Sequence, residues 1–369
     1  MKQLVVCSKE LPEYYNYEVP SGSINIDGSA VTYALIETAD ITFDGDKYPE
    51  YVLVRKVAVS TNYRDMGVMT HVAAGILRGN PDQLLYYPIG SEFSGVVVAV
   101  GNLVKGFRPG DRVIPDAGYP FAGESKDRGG LPTNNAFSEL EMLHASKLAV
   151  IPDSLSFEQA AAFTIGAQTV YSMISRLNIT SGSKVLLLGL SSNTALFALN
   201  ALKNKSVELT GIARSIKFRD KLLKMGLHQL FVISPDTPNY LENEGLQEYI
   251  NGKGKFDYII DPFCNNNLTK ALPLMAMNGT YITCGVSNNI TTANRQLLTE
   301  DILLQVIINN ITIKGNCLGA SAHLQTALQD YVHNSFEVPI DSIYEQDPQS
   351  FMQRSFNDPE RFGKVIYKF

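Results

Sequence analysis

The chain of 369 residues contains no tryptophan and only four cysteines. None of its hydrophobic runs approaches the ~18 residues that read as a membrane-crossing helix. The cysteines stand at Cys7, Cys264, Cys284 and Cys317, and no two share the C-x2-C spacing of a metal knuckle. So few, so scattered, they exclude a disulfide scaffold and read as reduced thiols of a soluble cytoplasmic protein. Like charges never gather in a block of five, and 31 basic against 37 acidic side chains leave a net charge of −6. That balance lacks the basic footprint of a nucleic-acid binder and argues against docking on an anionic membrane. The short apolar run ending at Cys7 is too brief for a signal-peptide core and reads as a first strand. What is present is ordinary for a globular protein: 45% hydrophobic residues in a length of roughly two to three domains.

The pattern changes character about 155 residues in. Before that point, short β-branched runs (Tyr51–Val59, Gly95–Val100, Arg112–Pro115) are separated by Gly, Pro and Asp, as in antiparallel strands joined by turns. From Ser156 the rhythm becomes helix, strand, helix, strand. Ser156 with Gln159 makes a capping box opening a helix that runs to Leu177. Strands are expected over 184–189, 207–213, 256–261 and 281–285, alternating with helices over 194–203, 216–225 and 268–277. This alternation means a doubly wound parallel sheet. After 311–315 come one helix (323–333) and a closing strand, 364–368. The α/β unit is therefore expected to be inserted in a β-rich domain, with a cleft between two domains.

The strongest local signal is Val185-Leu-Leu-Leu running into Gly189-Leu-Ser-Ser-Asn-Thr-Ala195 and an apolar helix. A dinucleotide fold places its phosphate loop at such a strand-turn-helix, with the pyrophosphate on the helix N-terminus. Only Gly189 of the glycine fingerprint survives; Ser192, Asn193 and Ala195 stand where glycines are expected, Asn tolerating left-handed backbone and Ser and Ala being small, with Ser191 and Thr194 completing the turn. A bare strand-turn-helix is the competing reading. Where an NAD-binding chain ends its second strand in Asp or Glu, this one has Ala213-Arg214-Ser215, with Lys217 and Arg219 behind. A guanidinium there favours a 2′-phosphate, hence NADP(H), unless these residues are simply a solvated helix start.

Several stretches in order resemble the medium-chain dehydrogenase/reductase superfamily. They are Asn62-Tyr-Arg-Asp65, Gly90-Ser-Glu-Phe-Ser-Gly-Val-Val-Val98, Val104-Lys-Gly-Phe-Arg-Pro-Gly-Asp-Arg-Val113, Ala136-Phe-Ser-Glu139, Ile151–Ala161 and Arg361-Phe-Gly-Lys-Val-Ile366. The resemblance spans essentially the whole chain. It implies a GroES-like β-rich catalytic domain (1–157 and 316–369) around an inserted Rossmann domain (158–315). Where zinc-dependent members carry catalytic ligands, this chain has Asn62, Ser91 and a position near Ile165, and the segment of the structural zinc lobe (114–136) has no cysteine. None of these is a thiolate or imidazole, so no metal is expected.

The zinc-free branch that the chain resembles contains quinone oxidoreductases and enoyl reductases. The resemblance therefore implies NADPH-dependent hydride transfer to an activated C=C bond or a quinone. An enoyl-thioester reductase acting in trans, or a catalytically silent scaffold that kept the fold, are the alternatives. By resemblance, Asn62 and Tyr63 face the nicotinamide and offer an amide and a phenol, with Asp65 beside them; the alternative is that Asn62 and Asp65 merely fix a loop. Arg64 is expected to pair with Glu92 or Asp65, and His71 is a weaker proton-donor candidate. Gln168 and Thr169, the strand end Cys284-Gly285-Val286 and the loop holding Cys317 are implied on the cofactor side. The edges of strands 281–285 and 311–315 are implied to build a homodimer. The insert Gly118–Pro132 reads as a loop over the cleft.

Overall fold

The computed structural model describes residues 1–14, 19–79, 83, 85–121, 129–286, 299–333 and 336–369. Part of the Gly118–Pro132 insert lies outside them. The chain divides into two compact units, Met1–Ile165 with Val338–Phe369, and Gly166–Glu337.

The first unit is built on two sheets. A four-stranded antiparallel sheet runs Ser21–Ile26, Ser29–Glu37, Lys2–Cys7, Tyr86–Pro88. A seven-stranded sheet runs Ile340–Glu345, Lys364–Lys368, Tyr51–Ser60, Glu92–Val100, Arg112–Pro115, Leu148–Val150, with Leu140–His144 also pairing Tyr51–Ser60. Its central strands are buried on both faces, which is why Val52, Val54, Val59, Phe93, Val97 and Val113 read as runs rather than a clean alternation. Phe351, from the helix Pro348–Phe356, packs against Phe137 and Tyr367 and closes this core from the C-terminal segment. The closing strand thus belongs to the fold of the N-terminal half.

The second unit is a six-stranded parallel sheet in the order Gln229–Val232, Glu208–Ala213, Lys184–Leu187, Phe256–Asp261, Met275–Thr283, Thr312–Gly315. In order along the unit this is 3-2-1-4-5-6, the Rossmann arrangement, whose order reverses beside Lys184–Leu187. The mixed α/β class, with a GroES-like β-rich unit and a Rossmann unit, is therefore what the structure shows. Residues 316–337, including the helix Ser321–His333, group with the Rossmann unit, so that unit reaches beyond the expected end at 315.

Three elements differ from their sequence reading. The helix opened by the Ser156–Gln159 capping box ends at Ala160, and a second runs Thr164–Leu177. Bonds from the Ala162 and Phe163 N–H groups reach back only three residues, tightening the turn between the two helices. The segment expected as a helix over 268–277 is a helix over Cys264–Ala271, a 3₁₀ turn at Leu272–Leu274 and the start of a strand. Pro273 has no N–H to continue the ladder. Over 216–225 the helix spans only Arg219–Lys224, because Ile216 and Phe218 form a turn in which Arg219 N donates to Ile216 O.

A buried carboxylate ties the C-terminal segment together. Arg354 donates to Asp341 through Nε (2.6 Å) and Nη2 (2.7 Å), and Phe362 N donates to the same carboxylate at 2.9 Å. Burial pushes the Asp341 carboxyl up, but these hydrogen bonds outweigh it and hold it below the usual range. A depressed folded pKa means stability that is complete above the ordinary carboxylate pKa and is lost as pH falls through the folded value. Asp341→Asn is expected to cost about 2 kcal/mol at neutral pH. In urea melts across pH, its gap from wild type narrows on acidification. A gap that stays constant to low pH contradicts this.

Candidate functional site

In the first unit, sheet register assembles a polar knot from three strand ends. Ser60 is the cross-strand partner of both Glu92 and Ile366, and continuing the second pairing sets Lys364 across from Asn62. Gly363 makes the approach possible: it has φ +89°, and a Cβ there would meet Pro339 O at 2.4 Å. The Lys364 ammonium is almost fully buried, its side chain 4% exposed. It donates to Thr61 O (2.6 Å), Asn62 Oδ1 (2.6 Å) and Glu92 Oε2 (2.9 Å), with Ser60 Oγ at 3.3 Å. Ser60 Oγ itself donates to Ala161 O at 2.7 Å. Burial pushes the Lys364 amine down, and the Glu92 carboxylate opposes that shift.

Asn62 ends the strand segment and opens the helix Tyr63–Arg78. Its Nδ2 donates to Glu92 Oε2 (3.1 Å) and Ser91 Oγ (3.3 Å), so both faces of its amide are engaged within the knot. Asp65 accepts from Asn62 N at 2.8 Å and from Ser91 Oγ at 3.0 Å, and fixes the first helical turn. Burial raises the Asp65 carboxyl, opposed by these bonds and by Arg64. Arg64 pairs with Asp65 at 3.0 Å and reaches Asn134 Oδ1 at 2.9 Å. Of the two partners expected for it, Arg64 meets Asp65, and Glu92 is paired with Lys364. Tyr63 is half-buried beside the knot, and His71 is exposed further along the helix.

The three positions that the resemblance compares with metal ligands do converge. Asn62 and Ser91 are 3.3 Å apart, and Ile165 N donates to Glu92 Oε1 at 2.8 Å. Their chemistry does not fit a zinc ion: an amide, a hydroxyl and a backbone N–H surround a carboxylate that already holds an ammonium. Among the described residues, no group of three or more His, Cys, Asp or Glu side chains is placed to bind a metal.

In the Rossmann unit, Gly189 follows the strand Lys184–Leu187 with φ +65°, the left-handed turn that the phosphate-loop reading requires. Ser192 Oγ then accepts from Ala195 N at 3.2 Å and caps the helix Asn193–Leu202, with Ser191, Asn193 and Thr194 half-buried around its first turn. Arg214, Ser215 and Lys217 are exposed at the carboxyl end of Glu208–Ala213, where Ser215 Oγ accepts from Lys217 N at 3.1 Å. A small-residue turn at the N-terminus of a ten-residue helix fits the pyrophosphate of a nicotinamide dinucleotide.

The remaining cofactor-side residues are placed mainly as scaffolding. Gln168 is fully buried and its Nε2 lies 3.4 Å from both Gly319 O and Ala320 O. Thr169 is buried, and its carbonyl accepts from Asn316 Nδ2 at 3.4 Å. Together they fasten the loop carrying exposed Cys317 to the helix Thr164–Leu177. Cys284 is half-buried; burial, aided by Asp261, pushes its thiol up to about 12. Gly285 sits where a Cβ would meet Pro262 O at 2.6 Å, and Val286 is exposed. Sequence reasoning missed Lys364 as a member of the knot and considered Glu92 only as a partner for Arg64. A signal existed: each is a charged residue opening a strand whose next three residues are buried.

A GroES-like β-rich unit together with a Rossmann unit is also the fold of the solved structures to which the chain is similar. Residues 48–153 match the alcohol dehydrogenase GroES-like domain. The quinone oxidoreductase of Pongo abelii is 28% identical over 235 residues, covering 63% of this chain and 65% of that protein. A crystal structure of an NAD-dependent alcohol dehydrogenase superposes with a TM-score of 0.74 at 20% identity, over all of both chains. That of the quinone oxidoreductase of Pseudomonas syringae pv. Tomato DC3000 gives 0.71 at 19% identity, over 100% of this chain and 99% of that one.

Proposed function

We propose that the protein is a zinc-independent, NADPH-dependent oxidoreductase acting on an activated C=C bond, as in an enone or enoyl compound, or on a quinone. The observation that carries the reading is the donor set around Glu92. The positions compared with metal ligands present an amide, a hydroxyl and a peptide N–H: the amide bonds the Ser91 hydroxyl, Glu92 and Lys364, and the peptide N–H bonds Glu92. The name of the Pongo abelii relative points the same way.

In the Rossmann unit, Gly189, Ser191, Ser192, Asn193 and Thr194 would hold the pyrophosphate, and Arg214 with Ser215 and Lys217 the 2′-phosphate. Bound there, NADPH would supply hydride to an electron-poor carbon or a quinone. In the β-rich unit Tyr63 offers the phenol that can return a proton or hold a developing oxyanion, while Asn62 and Asp65 hold the backbone from which it projects. Reduction of a carrier-bound thioester in trans and a silent scaffold are the outcomes against which this is measured.

The test is direct because the chain has no tryptophan to obscure NADPH fluorescence. NADPH is expected to bind tighter than NADH, and Arg214→Ala to weaken NADPH by about tenfold or more while leaving NADH nearly unchanged. NADPH consumption with enones, enoyl thioesters and quinones then names the substrate class. Equal NADPH binding by the variant removes the cofactor assignment; no binding of either nucleotide leaves the scaffold.

The same proposal includes a homodimer. Thr312–Gly315 is the edge of the parallel sheet, and Ile313 on it is exposed. Leu303, Leu304, Ile307 and Ile308, on the helix Thr299–Ile308, leave further apolar surface, Ile307 being 69% exposed. Light scattering is expected to return twice the chain mass, and Ile307→Asp to return one; a monomeric wild type removes the dimer.

A further inference from the structure

Lys364 has the surroundings of a bound cation rather than of a side chain that happens to be inside. Four oxygens face its Nζ: Thr61 O and Asn62 Oδ1 at 2.6 Å, Glu92 Oε2 at 2.9 Å and Ser60 Oγ at 3.3 Å. The first three match the three donors of an ammonium. Thr61 O and Asn62 Oδ1 are acceptors only, so they are satisfied by an N–H or a cation and by nothing that must itself accept. Glu92 is fully buried and its other oxygen is taken by Ile165 N, so its charge has no solvent to fall back on.

The groups next to the cage are all accounted for. Asp65 lies behind Ser91 and Asn62, Arg64 answers Asp65, and Arg361, also from the closing segment, donates to Ser355 O at 2.7 Å. The cage is contributed by residues 60–62 and 92, and the cation by a residue some 300 positions away in sequence.

We propose that residues 60–62 and Glu92 form a cation site whose cation is the tethered ammonium of Lys364, and that Lys364 is a positioning residue for the head of the helix Tyr63–Arg78. It holds the Thr61 carbonyl and the Asn62 side-chain amide oxygen at once, fixing the backbone that leads into Tyr63. The role in turnover rests on the function proposed above; the cation site does not.

The test uses the full chain. Lys364→Ala deletes three methylenes and the ammonium, the equivalent of n-propylammonium, and leaves Glu92 charged and unpaired. The thermal midpoint is expected to fall by roughly 10 °C. Added n-propylammonium restores much of that loss, whereas sodium chloride or tetramethylammonium at equal ionic strength does not, the latter having no N–H to give. Equal midpoints in all three salts overturn the cation site.

A second variant covers the case in which Lys364→Ala does not fold. Lys364→Met combined with Glu92→Gln removes both charges and is expected to recover most of the midpoint. Asn62 has still lost its partner, so kcat falls about tenfold while the NADPH Kd is unchanged. Wild-type kcat in this variant makes Lys364 structural only. If the wild type turns over no substrate, the proposed function fails, and the salt-dependent midpoints still decide the cation site.

Discussion

One buried charge pair organises the β-rich unit of this molecule. Lys364 and Glu92 are 2.9 Å apart, with side chains 4% and 0% exposed, and removing two such charges from water is costly unless every remaining donor and acceptor finds a partner. Here each does: three N–H groups meet three acceptors, and the second carboxylate oxygen meets a peptide N–H. Satisfying this pair requires several elements at once. The closing strand must pair with Tyr51–Ser60, Gly363 must take a left-handed conformation against Pro339, and the tight turn after Ala160 must bring Ile165 to Glu92.

Within the β-rich unit this pair holds three converging segments in register. A cation inside a cage of oxygens holds the converging segments in register, whether the cation is coordinated or carried on a side chain. Thiolate and imidazole ligands would be needed only to present that cation to a substrate. In this chain the ammonium faces inward to Thr61, Asn62 and Glu92, immediately before the helix that Tyr63 opens. The Rossmann unit is organised differently, by parallel pairing and a helix, Asn193–Leu202, whose residues from Ala195 onward are all buried. Its Gly189 turn stays geometrically sound with Ser192 as the cap, because the turn needs one left-handed residue and small neighbours rather than three glycines.

Much of this was legible in the sequence, and for physical reasons. The strands Arg112–Pro115, Phe256–Asp261 and Lys364–Lys368 were read with the observed bounds, since each is a compact apolar run flanked by turn residues. The capping box at Ser156 set the start of its helix correctly, because that geometry depends on two residues three apart. The end of the same helix was not readable: Ala160–Phe163 suit a helix intrinsically, and the turn there serves a tertiary bond to Ser60. Asn62, Ser91 and Ile165, named together only by resemblance, meet around Glu92. Lys364 was passed over as part of a strand, because its role depends on Asn62, 302 residues earlier, and no local pattern encodes that pairing.

The central claim is that Lys364 is a charged ammonium, sequestered from water and held by three hydrogen bonds. Nitrogen-15 NMR of the lysine side chains tests it most directly, with Lys364→Arg supplying the assignment. The account predicts, at neutral pH, an ammonium resonance that exchanges slowly with solvent and vanishes in the variant. A neutral-amine nitrogen shift at that position, or ammonium protons exchanging as fast as those of exposed lysines, would contradict it.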